Sequence, residues 1–298
     1  MRWTPGGPSD DLEDRRDEGG GPGPAFGGGS GIRIGLGGIA VLFVLSMLTG
    51  QNLLGLLGPL LGGIQGGGDD GGGARAPHQS SAAEDEMVQF VSFVLDDSQA
   101  VWTKVMPSVG REYRNAKLVL FTDRVRSGCG FAEAAMGPFY CPADEKVYID
   151  LGFYQELKQR FGASGDFAQA YVVAHEIGHH VQNILGISSK VTQMQQTNPD
   201  QANALSIRLE LQADCFAGVW GKSTDQRHIL ESGDVEEGLN AAAAVGDDRI
   251  QKQATGGVNP ERWTHGSSRM RVAWFQHGFQ SGKINDCDTF ETRLPEER

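Results

Sequence analysis

The chain has 298 residues, a formal net charge of −12 at pH 7 and 43 glycines, more than half of which precede residue 76. Glycine is costly to order and buries no side chain, so the first quarter of the chain cannot supply much hydrophobic core. The remaining residues have ordinary apolar content and can build one sizeable core. Because the charge is negative and Lys and Arg are not clustered, the composition argues against nucleic acid as a partner.

The N-terminal quarter divides into three predicted segments. Residues 1–33 are rich in Gly, Pro and Asp and are predicted to form a disordered cytoplasmic tail. Residues 34–58 carry no charge after Arg33 and, at about 1.5 Å per residue, can cross a hydrocarbon layer of roughly 30 Å. They are predicted to be one transmembrane helix, with a cleaved signal peptide or a buried helix as alternatives. Residues 59–81 are Gly-rich and are predicted to be a linker.

The distribution of basic residues predicts the orientation of this span. Arg15, Arg16 and Arg33 precede it, whereas no basic residue follows it until Arg75. Positive charge is retained in the cytoplasm, so we expect a single-pass protein of the inner membrane whose large domain lies on the periplasmic or extracellular side. The small residues of the span also allow close helix approach, which makes a homo-oligomer through the membrane a further expectation.

Residues 82–298 are predicted to form a single α+β domain, mostly helical with a small sheet. Short segments of β-branched and aromatic residues predict strands over 116–123 and 145–151. Helical spacing of apolar residues, with suitable caps, predicts helices over 82–105, 152–162, 166–185, 201–220, 233–253 and 266–281.

The helix over 166–185 contains the stretch AYVVAHEIGHHVQNILG. Its apolar residues Ala170, Val173, Ala174, Ile177, Val181 and Ile184 follow one helical face. His175 and His179 are four residues apart, so both imidazoles project from one face and can bind a single ion. Glu176 lies about 100° around the helix, where it can accept a proton from a metal-bound water. Gly178 allows a close approach, and His180 points away as a supporting or surface residue.

A catalytic zinc site needs one more protein ligand, and a second helix offers two carboxylates. In the stretch RLELQADCFAG, Glu210 and Asp214 are four residues apart on one helical face. We expect Glu210 to be the third ligand and Asp214 to hydrogen-bond a ligating histidine. The reverse assignment, with Asp214 as the ligand, and a solvated acidic face are the alternatives.

These paired motifs resemble those of the gluzincin metallopeptidases, in which a Glu of the second motif is the third ligand. The stretches GPFYCPADEKVYIDLGFYQEL, AYVVAHEIGHHVQNILG, RLELQADCFAGVWG and RWTHGSSRMRVAWFQHG resemble more specifically a family of neutral zinc metallopeptidases anchored in bacterial membranes. The resemblance covers residues 80–290 and implies a zincin-like fold with one Zn²⁺ per chain.

A further motif, THGSSRMR, looks like the T-H-P-x-x-x-x-R element of membrane-associated gluzincins, with Gly266 in place of Pro. By that resemblance His265 faces the reacting carbonyl. An imidazole there could stabilise the developing oxyanion by roughly 3 kcal/mol. The alternative is a structural histidine at a helix start.

The four cysteines all lie beyond the predicted span. An even number of cysteines in an oxidising compartment indicates disulfides. Cys129 and Cys141 flank a short loop and are expected to pair, which leaves Cys215 for Cys287. Buried free thiols are the alternative for the latter two.

The sequence therefore predicts a membrane-anchored zinc metallopeptidase that acts on a peptide or protein substrate. The expected ligands are His175, His179 and Glu210, with Glu176 as general base and His265 as a further catalytic residue. An edge strand in the 145–151 region is expected to align an extended substrate. The alternative is a zinc-binding scaffold or interaction protein of the cell envelope without peptidase activity.

Overall fold

The computed structural model describes residues 1–18, 80–292 and 294. Its helices are α1 Ala82–Val105, α2 Gly152–Phe161, α3 Asp166–Leu185, α4 Ile187–Thr197, α5 Ala202–Gln226, α6 Asp234–Ala244, α7 Asp247–Thr255 and α8 Ser268–Ser281. Its strands are β1 Leu12–Asp14, β2 Lys117–Phe121, β3 Arg124–Ser127, β4 Gly130–Glu133, β5 Phe139–Cys141 and β6 Lys146–Asp150. The fold is α+β, mostly helical with a small mixed sheet, as the sequence predicts.

The main sheet has the strand order β1-β2-β6-β5. Strands β1, β2 and β6 run parallel, and β5 is antiparallel to β6. The strand predicted over 145–151 is present as β6, but its predicted position at an edge is wrong, because β6 has a neighbour on each side. Val147, Tyr148 and Ile149 are all buried, which is typical of a strand covered on both faces. The open edge on this side of the sheet belongs to β5.

The N-terminal segment corrects the prediction of a disordered tail for residues 1–18. Strand β1 pairs with β2, and the ring of Trp3 lies 5.4 Å from that of Phe90 on α1. The Met1 ammonium donates to Asp166 Oδ2 at 2.6 Å. Composition was misleading because a few anchoring side chains, spaced between Gly and Pro, are enough to dock an extended segment.

This docking also corrects the predicted localisation. A single crossing of a membrane between residues 18 and 80 would separate β1 from β2, but the two strands are hydrogen-bonded neighbours. A cytoplasmic tail and an exterior domain are therefore incompatible with this fold. Within residues 1–18 and 80–292, no helix is both long and apolar enough to span a bilayer. The transmembrane helix predicted over 34–58 lies outside the described residues, as do residues 59–79 of the predicted linker.

Helix α3 passes through the centre of the core, and its predicted apolar face is correct. Ala170, Val173, Ala174, Ile177 and Val181 are buried, and Ile184 is partly buried. The predicted close approach at Gly178 is present as well. A Cβ on Gly178 would lie 3.0 Å from the backbone oxygen of Ala213, so the glycine lets α5 pack closely against α3.

Helices α5 and α8 cross in even closer contact. A Cβ on Gly218 would lie 2.1 Å from the backbone oxygen of Phe275, and one on Gly278 would lie 1.9 Å from that of Cys215. Real Cβ atoms do not approach backbone atoms so closely, so only glycine fits at both positions. This crossing fixes the position of α8 relative to the acidic motif of α5.

Several predicted boundaries change in three dimensions. The helix predicted over 233–253 is two helices, α6 and α7, which are separated at Gly246. A Cβ on Gly246 would lie 2.3 Å from the backbone nitrogen of Ser268, so the start of α8 packs directly against the break between α6 and α7. The helix predicted over 201–220 continues to Gln226. Strands β1, β3, β4 and β5 were not predicted, because each has only three or four residues.

Both predicted disulfides are present. Cys129 pairs with Cys141 and ties the turn of the β3–β4 hairpin to strand β5. Cys215 pairs with Cys287 and ties the middle of α5 to the segment that follows α8.

Candidate metal centre

Helices α3 and α5 bring the three predicted ligands together. The Nε2 atom of His175 lies 3.2 Å from Glu210 Oε2, and that of His179 lies 3.5 Å from Glu210 Oε1. One potential ligand atom from each residue lies within 4.8 Å of the other two. The helical spacing places both histidines on one face of α3, and the close packing at Gly178 brings Glu210 opposite them.

The geometry of this cluster fits a zinc ion. Two ligands about 2.1 Å from a tetrahedral ion lie roughly 3.4 Å apart, close to the separations between Glu210 and the two imidazoles. Two nitrogens and one carboxylate oxygen form a typical donor set of catalytic zinc, which leaves one position open. Asp214 does not belong to this cluster, so the alternative that made it the third ligand is not favoured.

Asp214 instead forms a buried network behind His175. Its Oδ1 accepts a hydrogen bond from His175 Nδ1 at 2.9 Å, so the Nε2 atom of that ring faces Glu210. Arg271 on α8 donates to Asp214 from Nε at 2.8 Å and from Nη2 at 2.9 Å. The Tyr171 hydroxyl also donates to Asp214. The carboxylate is fully buried, and these donors offset the cost of removing its charge from water.

This network sets the charges of the side chains around the centre. Burial lowers the pKa of His175, but the charge and hydrogen bond of Asp214, together with the hydrogen bond to Glu210, raise it by more, to about 9. Burial alone raises the pKa of Asp214, but Arg271 and His175 hold it below its usual value. For Glu210, the histidines overcome burial in the same way, and its pKa lies well below the usual range. Both carboxylates are therefore held in their charged form, Glu210 within the cluster and Asp214 behind His175.

Glu176 lies beside this cluster, one residue after His175 on α3. Its side chain is buried, at 7% exposure. Tyr154, on α2, is close enough that the charge of Glu176 adds to burial in raising the pKa of its hydroxyl. Glu176 thus lies on the side of α3 that is near α2, and its role as general base stays a prediction.

His265 lies in the segment before α8, close enough to Glu210 for each charge to shift the pKa of the other. Asp247 holds this segment: its Oδ2 accepts from the backbone nitrogens of Thr264, His265 and Gly266, at 2.7, 2.6 and 3.1 Å. Its Oδ1 lies 3.2 Å from His265 Nδ1, so this contact orients the ring without involving Nε2. Partial burial lowers the pKa of His265, but Glu210 and Asp247 raise it by more.

His180 differs from the prediction that it is a supporting or surface residue of the centre. It is fully buried and lies on the side of α3 that faces β5. Its Nε2 donates to the carbonyl oxygen of Arg114 at 2.6 Å, so its Nδ1 accepts from the Tyr140 hydroxyl at 2.9 Å. Burial lowers its pKa. His180 is thus a neutral structural residue that joins α3 to β5.

The sequence did not identify several contributors to the centre. Tyr171, Gln182, Gln212 and Asp247 contact predicted site residues or their partners, and Arg271 was noted only as part of a motif. One signal was present: Tyr171 precedes His175 by four residues and therefore shares its helical face. Gln182 likewise follows His179 by three residues on α3. Gln212, Asp247 and Arg271 come from other helices, and sequence spacing does not show such contacts.

Comparisons with known proteins agree with this geometry. The family model described as "Putative neutral zinc metallopeptidase" matches residues 1–290, which include the docked N-terminal segment. The chain is 48% identical over 294 residues to "Uncharacterized protein YpfJ" of Escherichia coli, covering 97% of this chain and 99% of that protein. It is 48% identical over 202 residues to "Uncharacterized protein Mb2605" of Mycobacterium bovis, covering 64% of this chain and 66% of that protein. No solved structure matches the chain. The chain therefore belongs to the neutral zinc metallopeptidase family.

Proposed function

We propose that this protein is a zinc-dependent peptidase with one zinc ion per chain, held by His175, His179 and Glu210. The observation that carries the proposal is the three-ligand cluster with an unused coordination position and Glu176 beside it. When bound, zinc supplies a Lewis acid that polarises a carbonyl and lowers the pKa of a water toward 7. The two disulfides are consistent with action in an oxidising compartment.

The residues of the chain have distinct roles in this proposal. The Glu176 carboxylate takes a proton from the attacking water and later delivers a proton to the leaving nitrogen of the peptide. Nε2 of His265 donates a hydrogen bond to the carbonyl oxygen as negative charge develops there. Asp247 holds His265 in the orientation that this role requires.

The open edge of the sheet suggests how a substrate is aligned. Strand β5 ends the sheet on this side and contacts α3 through the hydrogen bond between Tyr140 and His180. An extended peptide could add to this edge by backbone pairing, which orders a substrate without regard to most of its side chains. We therefore propose a peptide or unfolded protein segment as the substrate.

The alternative is a zinc-binding scaffold or interaction protein of the cell envelope. Structural zinc sites typically use four protein ligands, whereas the cluster in the described residues has three. A structural site also has no use for a buried carboxylate beside the ligands. These two features favour the peptidase.

The test is the Glu176→Gln protein, with Glu236→Gln as the matched control because Glu236 is exposed on α6. We expect Glu176→Gln to bind one equivalent of zinc and to lose peptide cleavage by at least about 10²-fold, since the general base is removed. Metal content and cleavage of an unstructured protein substrate are measured for both variants. Undiminished cleavage by Glu176→Gln would contradict the proposal, and zinc binding without any cleavage by the wild type would favour the scaffold.

A further inference from the structure

The second zinc-ligating histidine has a partner of a different kind from the first. Nδ1 of His179 lies 2.9 Å from Oε1 of Gln182, which follows it by three residues on α3. Gln182 is fully buried. Whereas His175 faces the charged pair of Asp214 and Arg271, His179 faces a neutral amide that water does not reach.

The orientation of this amide is fixed by its other contacts. The second terminal atom of Gln182, Nε2, lies 2.7 Å from the carbonyl oxygen of Leu209 on α5. A carbonyl oxygen only accepts hydrogen bonds, so the atom that faces it must be the amide nitrogen. The atom that faces His179 must then be the amide oxygen, which only accepts. Nδ1 of His179 is therefore the atom that donates to Gln182, and Nε2 is the atom directed toward Glu210.

The same argument extends one residue further. Nε2 of Gln182 also donates to Oε1 of Gln212 at 3.1 Å, and Nε2 of Gln212 donates to the carbonyl oxygen of Cys287 at 2.9 Å. Gln212 is 5% exposed. The three hydrogen bonds from His179 through Gln182 and Gln212 to Cys287 therefore all point in the same direction. The last acceptor is a backbone carbonyl, which cannot donate, so the donor and acceptor of each bond are fixed. The final acceptor belongs to the cysteine that is bonded to Cys215 on α5.

We propose that Gln182 and Gln212 are positioning residues that hold His179 in the tautomer and orientation needed to bind zinc. The inference rests on the zinc centre of the proposed function, but it needs no peptidase activity. Outer partners of ligating histidines typically fix the ring and its tautomer, and their loss weakens metal binding 10- to 100-fold. Glutamine suits this position better than glutamate, because a carboxylate has no N–H to donate to the carbonyl of Leu209.

The first test is the Gln182→Met protein, which keeps the length of the side chain and removes its hydrogen bonds. The control is Gln195→Met, because Gln195 also joins two helices through Ala202 and Ser206 but does not touch the centre. Zinc affinity is measured by competition with a chromophoric chelator. We expect an increase of 10- to 100-fold in the Kd of Gln182→Met and less than about 3-fold in that of Gln195→Met. A Kd of Gln182→Met equal to that of the wild type would overturn the proposal.

The second test needs no variant at position 182 and decides the matter if Gln182→Met does not fold. Ring nitrogen shifts of His179 are recorded by NMR on the zinc-free wild type and assigned with His179→Asn. A proton on Nδ1 is expected, and an unprotonated Nδ1 would contradict the proposal.

Gln212→Met should give a smaller increase in Kd than Gln182→Met, because it acts through Gln182. A protein that binds zinc as described but cleaves no peptide would refute the proposed function and leave this inference intact.

Discussion

Asp214 shows how one residue can serve both the fold and the metal centre. Its carboxylate is fully buried and accepts hydrogen bonds from two other helices: from His175 and Tyr171 on α3 and from Arg271 on α8. A charge in this position is tolerated only because each oxygen is paired. The residue that orients a ligand is therefore also the residue that joins α5 to α3 and α8.

Replacing Asp214 tests this double role. In Asp214→Asn the guanidinium of Arg271 stays buried without its counter-charge, which is expected to lower the free energy of unfolding by about 3–5 kcal/mol. Zinc affinity is expected to fall 10- to 100-fold, because His175 loses its charged acceptor. Urea unfolding and zinc titration measure the two effects. Asp225→Asn, which removes a half-exposed carboxylate from the same helix, is the control, and an equal effect of both variants would contradict the prediction.

At the scale of elements, the centre depends on how closely three helices approach one another. Gly178 allows α5 to reach α3, while Gly218 and Gly278 allow α8 to reach α5. The first contact brings Glu210 to the two histidines, and the second brings Arg271 to Asp214. A small residue remote from the zinc ligands can therefore affect the metal centre through helix separation.

The variant Gly278→Ala tests this dependence. Its Cβ would lie 1.9 Å from the backbone oxygen of Cys215, and backbone atoms cannot move away without separating α5 from α8. We expect a loss of at least about 2 kcal/mol in the free energy of unfolding, since overpacking usually costs 1–3 kcal/mol. Zinc affinity should fall with it. Gly257→Ala, at a position with open space, is the control for urea unfolding. Equal stability of the two variants would contradict the predicted dependence on helix contact.

At the scale of the whole molecule, residues 1–18 and 80–292 form one compact unit. The N-terminal segment contributes β1 to the sheet, and Asp11 fixes its position at the edge. The Asp11 carboxylate accepts from Gln99 at 2.9 Å, from Asn115 at 2.7 Å and from Lys117 at 2.8 Å. Burial alone raises its pKa, but these donors lower it below the usual value.

The lowered pKa of Asp11 predicts a stability that depends on pH. A carboxylate with a lowered pKa stabilises the fold above its unfolded pKa of about 3.9, and this contribution is lost as the pH falls through the folded pKa. At pH 7, Asp11→Asn should lower the free energy of unfolding by about 1–2 kcal/mol. Urea unfolding between pH 7 and 3 should show the difference from wild type narrowing below about pH 4. The control is Asp10→Asn, because Asp10 is exposed, and it should change the free energy of unfolding little at any pH. A difference between Asp11→Asn and wild type that grows toward low pH would contradict the stabilising role of the Asp11 carboxylate.

The sequence alone determined the parts of this protein that depend on local periodicity. Residues four apart on a helix share a face, so the spacing of His175 and His179 and of Glu210 and Asp214 predicted which side chains could meet one ion. The same periodicity predicted the buried face of α3 and most helix bounds. The pairing of the cysteines followed from their number and from the short loop between Cys129 and Cys141.

The tertiary structure decided what depends on contacts between distant segments. Periodicity cannot show that Arg271 neutralises Asp214, that Asp247 holds His265, or that Gln182 and Gln212 link His179 to the carbonyl of Cys287. It also could not show the docking of residues 1–18, because a Gly- and Pro-rich composition measures the cost of ordering a segment but not the contacts that offset it. Local spacing places a side chain on a face, whereas the packing of remote helices determines what that face meets.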